Sequence, residues 1–492
     1  MVAAPTMPIN PKTPPVVAIM RRRGSLQLGA LVIIAAFLGA GLWFARWEGG
    51  ASRATPDTFW YARDAFRYAG YPEKRADIIA AEFTCRAMKR ARPKLSYDEC
   101  MRYRSGLPVS APVRFQRIFT SRPGYALLTV PFVRAFGRSG FVIGTAVLGV
   151  ACGVAIMLLA LAAGLRPARA LLAEVLFYLL PTGLWVSRLL AEAPLALFLI
   201  TSLLGTVLLV RGHGRHHEPA APDPAAPDPA APDPAAPDPA AGHPDGRTAG
   251  AERAAGAFLL AVSLSCLCAV KPANGVALAA ALVAVAAVRL PSARARRGFA
   301  VVGTVAGAVL AGNLVVSAAL RLPGLNETLQ DTFTHHFRRP DVTDSWRRLG
   351  DAAVELWAQH LLPRLLDHPL IAAVYLVAAV GLLRGPRRDV AWPLIAAGLT
   401  GVGVISMHPV GTEVARLTQV TWIPVVLGLA LAIDLPFRGR APVRNLPLVR
   451  GLPLVRGLPL VRGVPVRRPE PGRHPTTFVG ARYTRWRRHH PR

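Results

Sequence analysis

The chain has 492 residues, 52% of them hydrophobic and 17% charged, with a mean hydropathy of +0.35 and a formal charge of +30. That balance excludes an ordinary soluble domain, and the apolar residues fall in blocks near the length that carries a helix across a bilayer. The arginines lie mainly between those blocks, in the first long connection and in the tail. Membrane topology therefore accounts for most of the charge, and nucleic acid is not an expected partner.

Taken in chain order, Arg21, Arg22 and Arg23 precede an apolar run from Leu28 to Phe44. The run has the form of a signal peptide without a small-residue cleavage site, which predicts a retained anchor. Further spans are predicted over 141–165, 170–187, 190–210, 254–270, 274–289, 298–320, 369–384, 390–407 and 418–436, after a first span over 27–45. In lipid every backbone group needs an internal partner, and barrel-type alternation is absent from the sequence, so the blocks are helices. The expected fold is an all-α integral membrane protein with about ten transmembrane helices and a large extracytoplasmic loop after helix 1. The tight pairs around Arg188 and Lys271 also fit broken or re-entrant helices.

With Arg21 to Arg23 inside, every second connection is basic: Arg166 and Arg169, Arg211 and Arg215, Arg289 to Arg297, Arg384 to Arg388, then the tail. Both termini are then cytoplasmic. The organisation is a basic N-terminus over 1–26, then four spans over 27–210 with an extracytoplasmic loop at 46–140. A linker at 211–253 leads to six spans over 254–437, with a second outer loop at 321–368 and a basic tail at 438–492. Four Ala-Pro-Asp-Pro-Ala copies from Ala221 to Ala240 read as an extended linker without chemistry. Leu446 to Gly463 repeats Leu-Pro-Leu-Val-Arg-Gly, which forbids a helix and gives either a disordered tail or a polybasic segment on anionic lipid. Usage heavy in Ala, Arg and Pro points to a bacterial plasma membrane.

The first loop opens Asp57-Thr58-Phe59-Trp60-Tyr61, which predicts a carboxylate capping an interfacial helix, with Trp60 and Tyr61 at headgroup depth. Besides a plain cap, such a carboxylate can serve as a general base toward a hydroxyl or as a metal ligand at a lipid phosphate. Arg122, in Arg122-Pro123-Gly124-Tyr125, precedes a short apolar helix and the second span. Arg188 and Glu192 lie between spans three and four, Lys271-Pro272 breaks another apolar stretch, and Glu413 and Arg416 precede the last span. By topology all of these gather on one membrane face, an arrangement suited to an anionic, lipid-linked substrate.

Cys85 and Cys100, with fourteen residues between them in the outer loop, are the disulfide candidates; Cys152, Cys266 and Cys268 fall within spans and read as packing residues. The adjacent pair His335 and His336 lacks metal-ligand spacing and reads as surface, as do His213, His216 and His217 in the linker. Asn326-Glu327-Thr328 matches a glycosylation acceptor, which matters only in a secretory system.

The Asp-x-x-x-Tyr-x-x-x-Ala stretch from Asp57 to Ala65 and the Arg-Pro-x-Tyr segment from Arg122 to Tyr125 resemble GT-C glycosyltransferases, as do Glu192 and Arg416 before their spans. The resemblance covers most of 27–436. It implies a mannosyltransferase-like enzyme that takes a hexose from a polyprenyl-phosphate donor on the extracytoplasmic face, usually with inversion at the anomeric carbon. It also implies Asp57 as the catalytic base, with Asp64 as the alternative acid. Arg122, Lys271 and Arg416 would meet the donor phosphate, Glu192 would line the cavity, and Glu413 joins the substrate-binding set. No Asp-Asp, Asp-Glu or Glu-Asp pair stands at the first-loop position, so a divalent cation is compatible with the motif but not specified by it. No Gly-x-x-x-x-Gly-Lys segment or soluble α/β domain suggests a nucleotide cofactor. The competing readings are a multispan transporter and a non-catalytic envelope-assembly protein.

Overall fold

A computed structural model describes residues 15–49, 54–211, 245–291, 295–385, 388–411 and 413–434. The repeat linker over 221–240 and the tail over 438–492 lie outside the described residues. Among the described residues every regular element is helical. The first is α1 (Pro15–Gly49), and the long connection after it folds as α2 (Thr58–Tyr68), α3 (Glu73–Ala91), α4 (Tyr97–Ser110), α5 (Val113–Thr120) and α6 (Gly124–Phe136). The apolar blocks that follow give α7 (Gly140–Ala162), α8 (Pro167–Leu179), α9 (Pro181–Val186), α10 (Glu192–Arg211), α11 (Asp245–Val270), α12 (Pro272–Arg289) and α13 (Arg296–Ala319). A second connection holds α14 (Leu325–Phe333), α15 (Ser345–Leu356) and, after a π turn, α16 (Leu362–Asp367). The chain then runs through α17 (Pro369–Leu383), α18 (Arg388–Met407), α19 (Val414–Leu417) and α20 (Gln419–Asp434).

Seven helices are long and apolar enough to cross a membrane, and an eighth results if the pair Ser345–Asp367 and Pro369–Leu383, bent by 84°, makes one span. The count expected from sequence is larger because three apolar blocks give shorter elements. Pro181, which has no N–H to donate, divides the block over 170–187 into 13-residue α8 and 6-residue α9. The helix α17 has 15 residues and the apolar part of α20 is Gln419–Ile433. Proline also sets the break at Lys271: Pro272 stands in the first turn of α12, where a missing N–H costs nothing.

The helices pack through small residues, which in lipid let backbones approach and gain dispersion contact. A Cβ on Gly205 of α10 would lie 2.7 Å from the Leu260 amide nitrogen of α11, and Gly381 of α17 packs directly on Gly428 of α20. In the first connection a ring cluster forms the core: Trp60 stacks on Phe119 at 5.5 Å between centroids, and Tyr61 meets Tyr125 edge-on at 5.3 Å. Trp60 and Tyr61 are 3% and 5% exposed, so both rings are packed within the protein. Arg63 fastens α2 to α3 through Asp77 at 2.6 Å and Glu73 at 2.9 Å. Cys85 and Cys100 form a disulfide between α3 and α4, with Cα atoms 5.8 Å apart. Arg114 of α5 joins the two connections by pairing with Glu327 at 2.9 Å and Asp341 at 2.8 Å.

Candidate functional site

The turn before α2 is held at both sides. The Thr55 amide donates to the Thr58 hydroxyl at 3.0 Å, that hydroxyl donates to the Leu189 carbonyl at 2.8 Å, and Arg104 donates to the Pro56 carbonyl at 3.3 Å. This seats Asp57 beside the start of α10. Its carboxylate makes no capping bond to α2, contrary to the expectation from sequence. Instead Asp57 Oδ2 accepts from Arg416 Nη1 at 3.0 Å, and no hydrogen bond reaches Oδ1 among the described residues.

Arg416 lies in α19, the single turn that follows α18. Its Nε is 2.8 Å from Glu413 Oε2 and 3.4 Å from Glu192 Oε1. Glu192 is buried in the first turn of α10, where a carboxylate complements the helix N-terminus, and Lys271 Nζ reaches its Oε1 at 2.6 Å from the break between α11 and α12. The Gln419 amide donates to the Glu192 carbonyl at 3.2 Å, fixing the start of α20 against the start of α10. Asp57, Glu192, Lys271, Glu413 and Arg416 thus form one network of three carboxylates and two cations.

Arg122 stands beside this network at the start of α6, its amide bonded to the Phe119 carbonyl at 2.9 Å. Its guanidinium has no ion pair or hydrogen bond among the described residues, although its charge acts on Lys271, Tyr61 and His408. Of the three cations expected at a donor phosphate, Lys271 and Arg416 are therefore committed to carboxylates and Arg122 is unpaired. Arg188 lies over the Trp185 ring, 4.2 Å from its centroid, and makes no ion pair among the described residues. Asp64, the alternative acid, is buried near Arg63 and apart from the network.

Burial sets the electrostatics at the rim. It pushes the Glu413 carboxyl upward, a shift that Arg416 opposes. Burial would weaken the hold of Arg416 on its proton, but Glu192, Asp57 and Glu413 more than reverse this. His408, just after α18, is pushed down to about 4 by burial and by the charges of Arg416 and Arg122. It is neutral at pH 7 and available as a hydrogen-bonding group.

Two features escape sequence reasoning. His335, His336 and Phe337 have φ of 54°, 64° and 57°, a run of left-handed residues without glycine that stores backbone strain. The turn sets His336 Nδ1 3.0 Å from Asp331 Oδ1 and its ring 4.8 Å from that of Phe115, while Arg114 covers Phe337. The Asp331 hydrogen bond raises the basicity of His336, and Asp57 adds to the effect. His336 is exposed, as the sequence predicts, and lies within electrostatic reach of Asp57. The second feature is Glu174 of α8, wholly buried, whose two carboxylate oxygens have no hydrogen-bond partner among the described residues. Gly39 of α1 and Gly153 of α7 leave the space it fills. A Glu inside an apolar block was the available signal.

Among the described residues no group of three His, Cys, Asp or Glu side chains could hold a metal ion. The carboxylates that converge here surround Arg416, whose guanidinium occupies the position a cation would need. Chemically, the site offers a free cation for an anionic group and a carboxylate with one open oxygen for a proton. Comparison of the chain with known protein families, characterised proteins and solved structures yields no match.

Proposed function

We propose that the chain is a membrane glycosyltransferase that moves a mannose-like hexose from a polyprenyl phosphate to a hydroxyl of a glycan, lipid or protein acceptor. The observation that carries this reading is that, among the described residues, no hydrogen bond reaches Asp57 Oδ1 and no carboxylate pairs with Arg122 beside it. In this reading Arg122 binds the donor phosphate, with Lys271 and Arg416 adding positive potential behind it. Asp57 Oδ1 takes the proton of the acceptor hydroxyl as its oxygen attacks the anomeric carbon. The bond from that carbon to the phosphate oxygen breaks, and polyprenyl phosphate leaves with the electron pair, inverting the centre.

The α10 helix has 20 residues, about 30 Å of rise, so the network at its start belongs to one membrane face. We assign that face to the extracytoplasmic side of a bacterial plasma membrane, with ten crossings, both termini cytoplasmic and the basic tail on anionic lipid. The donor set does not fit a divalent ion, because Arg416 already neutralises its carboxylates, and no step is routed through one. A proton-coupled transporter is the second reading, favoured by intramembrane Glu174, whose carboxylate has no hydrogen-bond partner among the described residues.

Purified protein in lipid, supplied with a panel of labelled polyprenyl-phosphate monosaccharides and hydroxyl acceptors, tests the proposal. Sugar transfer above a protein-free control supports it. Donors that serve a control enzyme but not this chain would sink it in favour of transport.

A further inference from the structure

At the far end of α10 from the charge network, three helix ends meet. The α10 helix finishes at Arg211, the apolar part of α11 begins at Gly250, and α13 begins at Arg296. Glycines draw them together: a Cβ on Gly205 would lie 2.8 Å from the Gly256 carbonyl oxygen, and one on Gly298 would lie 2.7 Å from that of Leu209. A groove of about 560 Å³ runs between α11 and α13, lined by Arg253, Ala254 and Ala257 from one and Arg297, Ala300 and Val301 from the other.

The order of these residues along the two helices is the same. Both helices start at this end, and on each an arginine precedes the small apolar residues by up to one turn, so positions three and four apart share a face. The groove is therefore cationic at its outer end and apolar toward the middle of the spans. Arg211 and Arg296 add positive charge at the same end. Alanine walls leave width for a hydrocarbon chain and offer no hydrogen-bonding groups for a sugar, base or peptide. A cationic pocket where spans meet the interface matches a lipid headgroup phosphate in charge and depth.

We infer that this groove holds an anionic diacyl phospholipid, with its phosphate between Arg253 and Arg297 and an acyl chain along Ala257, Ala300 and Val301. The inference is independent of sugar transfer. It concerns the opposite end of α10 from Asp57 and uses none of the residues placed in the candidate active site.

The test is lipid retention by the full-length protein in detergent, offered equal phosphatidylglycerol and phosphatidylcholine and examined by native mass spectrometry. The expected result is preferential retention of phosphatidylglycerol by about tenfold, a preference lost in the Arg253→Gln, Arg297→Gln double variant. A second variant, Ala257→Phe with Ala300→Phe, keeps both arginines and fills the furrow; it should lose bound lipid while its melting temperature shows it folded. Equal retention of the two lipids by the unaltered protein would overturn the inference, as would undiminished retention in the furrow-filled variant. Phosphatidylglycerol that binds only after removal of residues 221–240 would also overturn it, giving the groove to the Asp-bearing repeat.

Discussion

Arg416 Nη1 donates to Asp57 Oδ2 over 3.0 Å, joining positions 359 residues apart. The same guanidinium approaches Glu413 and Glu192, so it ties the first connection, the start of α10 and the turn before α20 into one unit. Replacing it with Gln leaves three carboxylates short of a cation in a poorly solvated site. The Arg416→Gln variant should lose about 3 to 5 kcal/mol of stability, and Arg416→Lys less. Thermal unfolding in detergent measures this; an unchanged midpoint would mean that the network does not hold these elements together.

Lys271 and Glu192 form the innermost pair, at 2.6 Å, with Glu192 only 2% exposed at its side chain. Removing either member strands a buried charge, whereas removing both does not. The Glu192→Gln, Lys271→Met double variant should therefore be more stable than the sum of its single variants allows. The expected coupling is about 1 to 3 kcal/mol in an unfolding cycle. Additive losses would show the pair to be energetically uncoupled.

Arg122 differs from Lys271 and Arg416 because, among the described residues, no carboxylate holds it. Arg122→Gln should change the unfolding free energy by no more than about 0.5 kcal/mol relative to the unaltered protein. The same variant should raise the donor KM by about tenfold or more, the cost of a charge-assisted phosphate contact. A kinetic series over donor concentration separates the two readouts. A large stability loss with donor KM unaltered would make Arg122 a structural residue.

His408 gives the site a pH signature. Its imidazole is pushed down to about 4 from an ordinary 6.5, chiefly by burial. Above pH 6.5 it is neutral whether the chain is folded or not. Between pH 6.5 and 4 the unfolded chain gains a proton that the folded protein refuses, so stability falls as pH falls through this window. The loss is about 3 kcal/mol, and His408→Gln should remove it. Unfolding of both proteins at pH 7 and pH 4 gives the difference; equal pH dependence would contradict the assignment.

The hydrophobic blocks made the helical architecture legible, because length and apolarity act locally along the chain. Where helices end was less legible. Pro181 divides one block, and α17 meets its predecessor at an 84° bend at His368, just before Pro369. Asp57, Glu192, Lys271, Glu413 and Arg416 could each be singled out as charges at helix ends, but their pairing could not. Lys271 and Glu192 are 79 positions apart, and only the packed bundle decides that Lys271 neutralises Glu192 while Arg122 stays unpaired. His336 was hidden for another reason: left-handed turns are normally marked by glycine, and here none is present.

The most direct test of the central claim is sugar transfer by the purified protein in lipid beside its Asp57→Asn variant, with both shown by thermal unfolding to be folded. Asn keeps the size of the side chain and can still accept from Arg416, but it cannot take up a proton from a hydroxyl. The account predicts transfer by the unaltered protein and a loss of about a hundredfold or more in the variant, with donor KM nearly unchanged. Equal rates from the two proteins would contradict Asp57 as the base, and no transfer from either would contradict the glycosyltransferase itself.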